Sequence, residues 1–342
     1  MARFIKTLKK TALAASIASL ATVANATIVT SIKPLGFIAS SIADGVTDTE
    51  VLVPAGASPH DYSLKPSDIQ KLQGAELILW VGEDIDAFLD KTLRPMPFKK
   101  VLSIADFAEI GGLLEGEAHD HKHEHDHAHK HEHDHKHDHA HKHEHDHKHD
   151  HDHKHDHEHK HDHAHGHDHD HSTNWHVWYS PEISKIVATR LATRLTEAYP
   201  EKKEKIAQNL AEFNRTLAEQ SEKIKQQLAP VKEKGFYVFH DAYSYFNNAY
   251  GLKQTGYFTI NPLVAPGAKT LAKIKQEIKE HKVNCLFAEP QFTPKVIESL
   301  SKGTGVHVGR LDPMGDAVKL GVNSYANFLQ YTADSYFACL SK

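Results

Sequence analysis

The sequence predicts an α/β protein of two lobes, each a parallel sheet flanked by helices, with one long helix between them. Three observations carry this. Short apolar runs alternate with amphipathic stretches both before position 117 and after position 230. One helical pattern runs from 201 to 228, about 42 Å of helix, long enough to brace two lobes. Between the alternating halves lies a segment in which every second residue from His119 to His171 is histidine and no apolar side chain is larger than Ala. With nothing to bury, it is expected to be a disordered insertion, 117–172, in the first lobe.

In chain order, 28–31 reads as a strand, 35–43 as a helix and 50–53 as a strand. Pro66 opens a short helix that runs to Leu72. The runs 76–81 and 101–104 are further strands. After the insertion, Ser180-Pro181-Glu182 supplies an N-cap, a Pro at the first helical position and an acid in the first turn. Ile183, Ile186, Val187, Leu191 and Leu195 then recur at helical spacing until Pro200 interrupts. In the long helix, Ile206, Leu210, Phe213, Leu217, Ile224 and Leu228 mark one face, with Ser221 in the gap. That stripe reads as core packing rather than a partner site. Beyond Pro230 the alternation resumes, with strands over 236–239, 253–259, 284–288 and 307–311 and helices over 241–250, 269–282, 294–302 and 324–340. The expected division is 1–26, an N-terminal lobe 27–200, a linking helix 201–229 and a C-terminal lobe 230–342.

Residues 1–26 read as a secretory signal. Arg3, Lys6, Lys9 and Lys10 precede an Ala-rich apolar stretch over 11–23, and Ala24-Asn25-Ala26 fits a small-x-small cleavage site. A membrane anchor is the alternative, but the stretch is short for a span of ~20 residues. No other run reaches spanning length. The chain carries −5. Without the four positive charges of 1–26 the mature chain carries about −9, of which the tract 119–171 supplies −8 (7 Lys against 15 Asp and Glu), leaving the remainder near neutral, which excludes the basic face that nucleic acid requires. Cys285 and Cys339 are an isolated pair; in an oxidising compartment this favours a disulfide, with two unrelated buried thiols as the alternative.

The alternating histidines are interleaved with Asp, Glu and Lys, and thiolates are absent. Imidazole and carboxylate together suit Zn²⁺, Ni²⁺ or Cu²⁺, so 119–171 reads as a set of weak metal sites. Five histidines lie elsewhere. His60 sits in a rigid loop after the strand 50–53, His176 among Trp175, Trp178 and Tyr179, and His240 at the strand-to-helix corner that follows Phe239. Such corners are where open α/β sheets place ligands. Each alone reads better as a hydrogen-bonded structural residue; three together, beside a metal-binding tract, reverse that and favour ligation. His281, at a charged helix end, and His307, inside a strand, read as structural.

The segments Val53-Pro54-Ala55-Gly56-Ala57-Ser58-Pro59-His60-Asp61-Tyr62, Trp175-His176-Val177-Trp178-Tyr179-Ser180-Pro181, Phe239-His240-Asp241-Ala242-Tyr243 and Phe287-Ala288-Glu289-Pro290-Gln291-Phe292 closely resemble the ZnuA family, the periplasmic zinc-binding component of zinc ABC importers. The resemblance covers the whole mature chain. It implies a metal-receptor type of periplasmic binding protein, its lobes bridged by a rigid helix with Zn²⁺ between them. It implies His60 and His176 as first-lobe ligands and His240 as the second-lobe ligand. It further implies a permease partner of the ABC class in the inner membrane and no membrane span in the mature chain. In some relatives a Glu just before the first His reaches the metal; Pro59 stands there and cannot. In manganese- and zinc-binding relatives an Asp after the last strand of the second lobe serves, and Asp312 matches it. Asp312 and water are left as alternatives for the fourth position, with Glu289 a supporting residue. Three imidazoles suit zinc, while manganese would recruit more oxygen. Two rival classes stand beside this reading. A secreted zinc hydrolase could use three His and water, but no H-E-x-x-H or G-x-S-x-G occurs. A storage protein would use the tract alone, leaving two lobes without a purpose. The expectation is a monomeric receptor.

Overall fold

A computed structural model describes residues 27–116, 173–292 and 295–342. The expected export signal and the expected disordered insertion lie outside these residues. The chain runs β1 (Thr27–Thr30), α1 (Lys33–Ile42), β2 (Asp48–Val51), α2 (Pro66–Gly74), β3 (Leu77–Trp80), the short helices α3 (Glu83–Asp86) and α4 (Asp90–Leu93), and β4 (Val101–Ser103). A two-residue antiparallel pair, β5 (Glu115–Gly116) with β6 (Thr173–Asn174), closes the base of the insertion. Then come α5 (Pro181–Ala198), α6 (Lys203–Leu228), β7 (Phe236–His240), α7 (Ser244–Tyr250), β8 (Gly256–Thr259), α8 (Ala268–Lys279), β9 (Cys285–Ala288), α9 (Lys295–Thr304), β10 (His307–Arg310) and α10 (Ser324–Leu340).

The eight longer strands form two parallel sheets, β2-β1-β3-β4 and β10-β9-β7-β8. Numbered within each lobe, both have the order 2-1-3-4. The central strands are continuous apolar runs, Leu-Ile-Leu-Trp in β3 and Cys-Leu-Phe-Ala in β9, buried at every position. Parallel strands covered on both faces need that pattern. The edge strand β10 is largely exposed.

The expected bridge is α6. Its stripe buries Ile206, Phe213, Leu217, Ile224 and Leu228 as read from the sequence, with Asn209 rather than Leu210 in the remaining buried place. The reason is specific: Asn209 Nδ2 donates to the carbonyls of Ile42 and Asp44 at 2.9 and 2.8 Å, tying α6 to the first lobe. Ser221, the polar gap in the stripe, meets the Tyr250 hydroxyl of the second lobe at 3.1 Å. Pro200 ends α5 through a short 3₁₀ turn, Pro200–Lys202, before α6 begins.

One apolar core runs across both lobes. Tyr179 stacks on Phe328 with ring centroids 5.2 Å apart, the Phe37 ring is also 5.2 Å from Phe328, and Tyr243 is 5.4 Å from Tyr179. Phe328 belongs to α10, which packs against α1 and α6 as well as β10. The C-terminal helix is therefore a second bridge. Cys285 of β9 and Cys339 of α10 form the expected disulfide. An interface this apolar opposes wide relative motion of the lobes.

Candidate metal centre

His60, His176 and His240 meet at the carboxyl ends of the strands, between the two sheets. His60 lies in a 3₁₀ turn, Pro59–Asp61, whose N-cap Ser58 accepts from the His60 amide at 3.3 Å. The preceding loop turns at Gly56, where φ is +78°, a conformation costly for other residues. His176 caps the 3₁₀ turn Val177–Tyr179, and His240 is the last residue of β7. His240 and His176 are buried, at 2% and 7% exposure, and His60 is partly buried.

The hydrogen bonds fix two tautomers. Glu289 accepts from His240 Nδ1 through both carboxylate oxygens, at 2.7 and 2.8 Å. Asn174 Oδ1 accepts from the His176 backbone amide at 3.1 Å, which settles the orientation of its carboxamide; the same oxygen lies 2.7 Å from His176 Nδ1, which must then be the protonated nitrogen. In the neutral rings both Nε2 atoms therefore present lone pairs. They face one another at 3.1 Å, and His60 Nε2 lies 3.4 Å from His176 Nε2. Two such acceptors repel unless a cation joins them. Nitrogens bound to one tetrahedral zinc at ~2.0–2.1 Å would be about 3.3 Å apart.

Electrostatics point the same way. Burial, and then the neighbouring His240, push the His60 imidazole down to about 3. Burial, followed by His240 and His60, holds His176 well below the ordinary imidazole range. Both rings are thus neutral and metal-competent at physiological pH, with no proton to displace. The Tyr243 hydroxyl donates to Glu289 at 2.9 Å and is held far above its usual range, first by burial and then by that carboxylate, so it remains a donor. Trp178, Phe292, Pro313 and Met314 wall the cavity, keeping the dielectric low.

Among the described residues, the group of His, Cys, Asp and Glu side chains with ligand atoms within 4.8 Å of one another consists of these three imidazoles. Asp312 does not join it. Its Oδ1 accepts from Gln291 Nε2 at 2.8 Å and Met314 N at 3.0 Å, and its Oδ2 from Asp316 N at 2.7 Å. That carboxylate folds the turn over 312–316. Asp316 in turn accepts from Gly56 N at 2.6 Å, pinning the His60 loop. His281 sits at φ +57° just beyond α8; its amide and that of Lys282 bond to the carbonyls of Ile278 and Glu277, the left-handed helix stop usually made by Gly. His307 is exposed on β10. Neither joins the cluster. Sequence reasoning missed Asn174; its only signal was its place two residues before His176.

Two α/β lobes, two bridging helices and three imidazoles converging between the sheets define a metal-binding receptor. The profile of the ZnuA family, zinc-uptake complex component A, periplasmic, matches residues 28–339. The chain belongs to that family, the periplasmic zinc-binding component of ABC-type zinc transport, and is a receptor rather than an enzyme. It is 70% identical over 337 residues to the high-affinity zinc uptake system protein ZnuA of Haemophilus influenzae, covering 98% of this chain and 99% of that protein. Against the protein of the same name from Yersinia pestis the identity is 44% over 318 residues, 93% and 92% of the two chains. A crystal structure of ZnuA superposes with a TM-score of 0.66 at 21% identity, covering 92% of this chain and 99% of that one, a likeness of fold. No helix among the described residues is long and apolar enough to cross a membrane.

Proposed function

We propose that this periplasmic receptor holds one Zn²⁺ through the Nε2 atoms of His60, His176 and His240, with water as the fourth donor. The observation that carries the reading is the convergence of the three nitrogens, two with their other ring nitrogen committed to Glu289 and Asn174. Water is preferred to Asp312 because the Asp312 oxygens already serve three donors. The site is complete within one chain, which supports a monomer. The functional division is a lobe over 27–200 carrying the insertion 117–172, a link over 201–229 and a lobe over 230–342. The tract 119–171 binds further zinc weakly, a reading that rests on its composition. Both lobes are presented to the ABC permease together, because the metal lies between them and its release requires a small relative movement or a loop rearrangement.

Zinc titration of the chain lacking 119–171, against a competing chelator, tests this. One tight site is expected, lost on the order of 100- to 1,000-fold in each of His60→Ala, His176→Ala and His240→Ala with the fold retained. Wild-type affinity in any of the three removes that residue from the ligand set. An Asp312→Asn variant that loses affinity as steeply, with its fold intact, would restore the carboxylate to the fourth position.

A further inference from the structure

We infer that Asn174 is a positioning residue for zinc capture, one side chain that both orients the ligand His176 and ties it to the lobe that carries His240. The inference rests on the ligand set proposed above and adds a residue to the machinery around it. Asn174 is buried, at 2% exposure. Its Oδ1 takes two bonds from His176, one from the amide and one from Nδ1, as described above. Its Nδ2 points the other way and donates to the Asp241 carbonyl at 2.8 Å, with the Ser244 hydroxyl at 3.3 Å. Asp241 directly follows His240. A hydrogen-bonded route from the His176 ring to the residue beside His240 therefore passes through this carboxamide.

The backbone of Asn174 is held as firmly as its side chain. Its carbonyl accepts from the Tyr245 hydroxyl at 2.6 Å, and the same hydroxyl accepts from the Glu115 amide at 3.0 Å. Glu115 and Asn174 are also register partners in the β5–β6 pair. The strand that brings the chain back from the insertion is thus clamped to α7, and Asn174 turns that clamp directly onto His176.

Chemistry explains why the residue is Asn. The position must accept from an imidazole N–H and donate to a carbonyl at the same time. Asp offers acceptors only, Ala offers neither, and Ser is too short to serve both partners. The two backed ligands also differ in charge. His240 rests on a carboxylate and His176 on a neutral amide, so one negative charge, not two, stands directly behind the imidazoles. That arrangement orients both rings while leaving the bound cation incompletely neutralised, which suits a cargo that must leave again.

The two halves of the carboxamide can be tested separately in the full mature chain. Zinc affinity is measured against excess chelator strong enough to strip weak sites, and metal-free melting temperature is measured in parallel. Asn174→Ala should weaken zinc roughly 10- to 100-fold, the usual effect of removing a group that orients a ligand, and should lower the melting temperature. Asn174→Asp restores the acceptor but not the donor. It should recover affinity to within about threefold of wild type while its metal-free melting temperature stays at or below that of Asn174→Ala. A purely structural role would move affinity and melting temperature together. Wild-type affinity in Asn174→Ala, or no recovery in a folded Asn174→Asp, overturns the inference. His176→Ala is the control: if it too binds as wild type, the ligand set has failed, whereas loss in His176→Ala with retention in Asn174→Ala sinks only the positioning role. Should Asn174→Ala not fold, Asn174→Leu, which keeps the volume but offers no acceptor, takes its place, and wild-type affinity there overturns the inference.

Discussion

The two lobes repeat one design and use it differently. In each sheet the strand order reverses between its first and third strands, β1 and β3 in one lobe, β7 and β9 in the other. At each reversal a buried acid from the segment that follows the third strand accepts a hydrogen bond from a residue at or next to the end of the first. In the second lobe the pair is Glu289 and His240, at 2.7 Å. In the first lobe it is Asp86 and Ser31, also at 2.7 Å, with Val81 N adding a bond to the same oxygen at 2.8 Å. Such reversals open the crevice in which α/β sheets bind ligands. A serine there offers no soft nitrogen donor. The first lobe therefore contributes its imidazoles to the cluster from loops, His60 after β2 and His176 after the insertion, while the second contributes His240 from the sheet itself. Topology creates the position, and residue type decides whether a nitrogen donor stands there.

The largest way to sharpen that contrast is covalent. Only the second lobe carries a disulfide, and it joins β9, whose end holds Glu289, to the bridging helix α10. Opening a loop of this size should cost about 4 kcal/mol by the chain-entropy relation. Cys285→Ser/Cys339→Ser protein, unfolded in denaturant without metal, should show that loss; a change well under 1 kcal/mol would mean the bridge contributes little beyond the packing around it.

Next comes the pair of buried acids. Glu289→Gln should reduce zinc affinity roughly 10- to 100-fold, because the carboxylate that holds His240 Nδ1–H is lost. Asp86→Asn, at the matching place in the first lobe, should leave affinity within about twofold, since no ligand rests on it. Chelator competition on both variants decides the matter. Equal losses would erase the distinction between the lobes.

The gentlest effect is a slope with pH, and its sign differs between two first-lobe groups. Asp86 is pushed up to about 7 from 3.8, chiefly by burial. The folded protein keeps a proton that the unfolded chain has released, so this contribution is complete below about pH 4 and is lost as pH rises through 7. His60 runs the other way. With its folded value near 3 against 6.5, its contribution is complete above pH 6.5 and is lost as pH falls towards 3. Each proton imposes at most about 1.4 kcal/mol per pH unit. Melting of metal-free protein from pH 4 to 8 should show both limbs, with Asp86→Asn flattening the alkaline one and His60→Gln the acid one. An alkaline limb unchanged by Asp86→Asn would show that Asp86 is ionised throughout.

Much of this was written in the chain. Burial on both faces forces central parallel strands to be continuous apolar runs, so β3, β7 and β9 announced themselves, as did α6 through its helical stripe. His60, His176 and His240 stood out because metal chemistry limits which side chains can serve and because strand ends are where such folds place them. The disulfide was legible from two cysteines in a chain whose first 26 residues read as an export signal. Other features depend on contacts remote in sequence, and only the tertiary structure decided them. Nothing local reveals that α10 crosses back to both α1 and α6, because an apolar helix face does not name its partner. Asp312 sits after a strand, as a ligand would, yet its oxygens are taken by Gln291, Met314 and Asp316. Asn174 carries no signal beyond its place two residues before His176, and its amide joins His176 to Asp241 only in the fold. Hydrogen-bonding capacity is a property of the residue and can be read from a sequence; which partner fills it is a property of the fold, because the two groups meet only after the chain has closed.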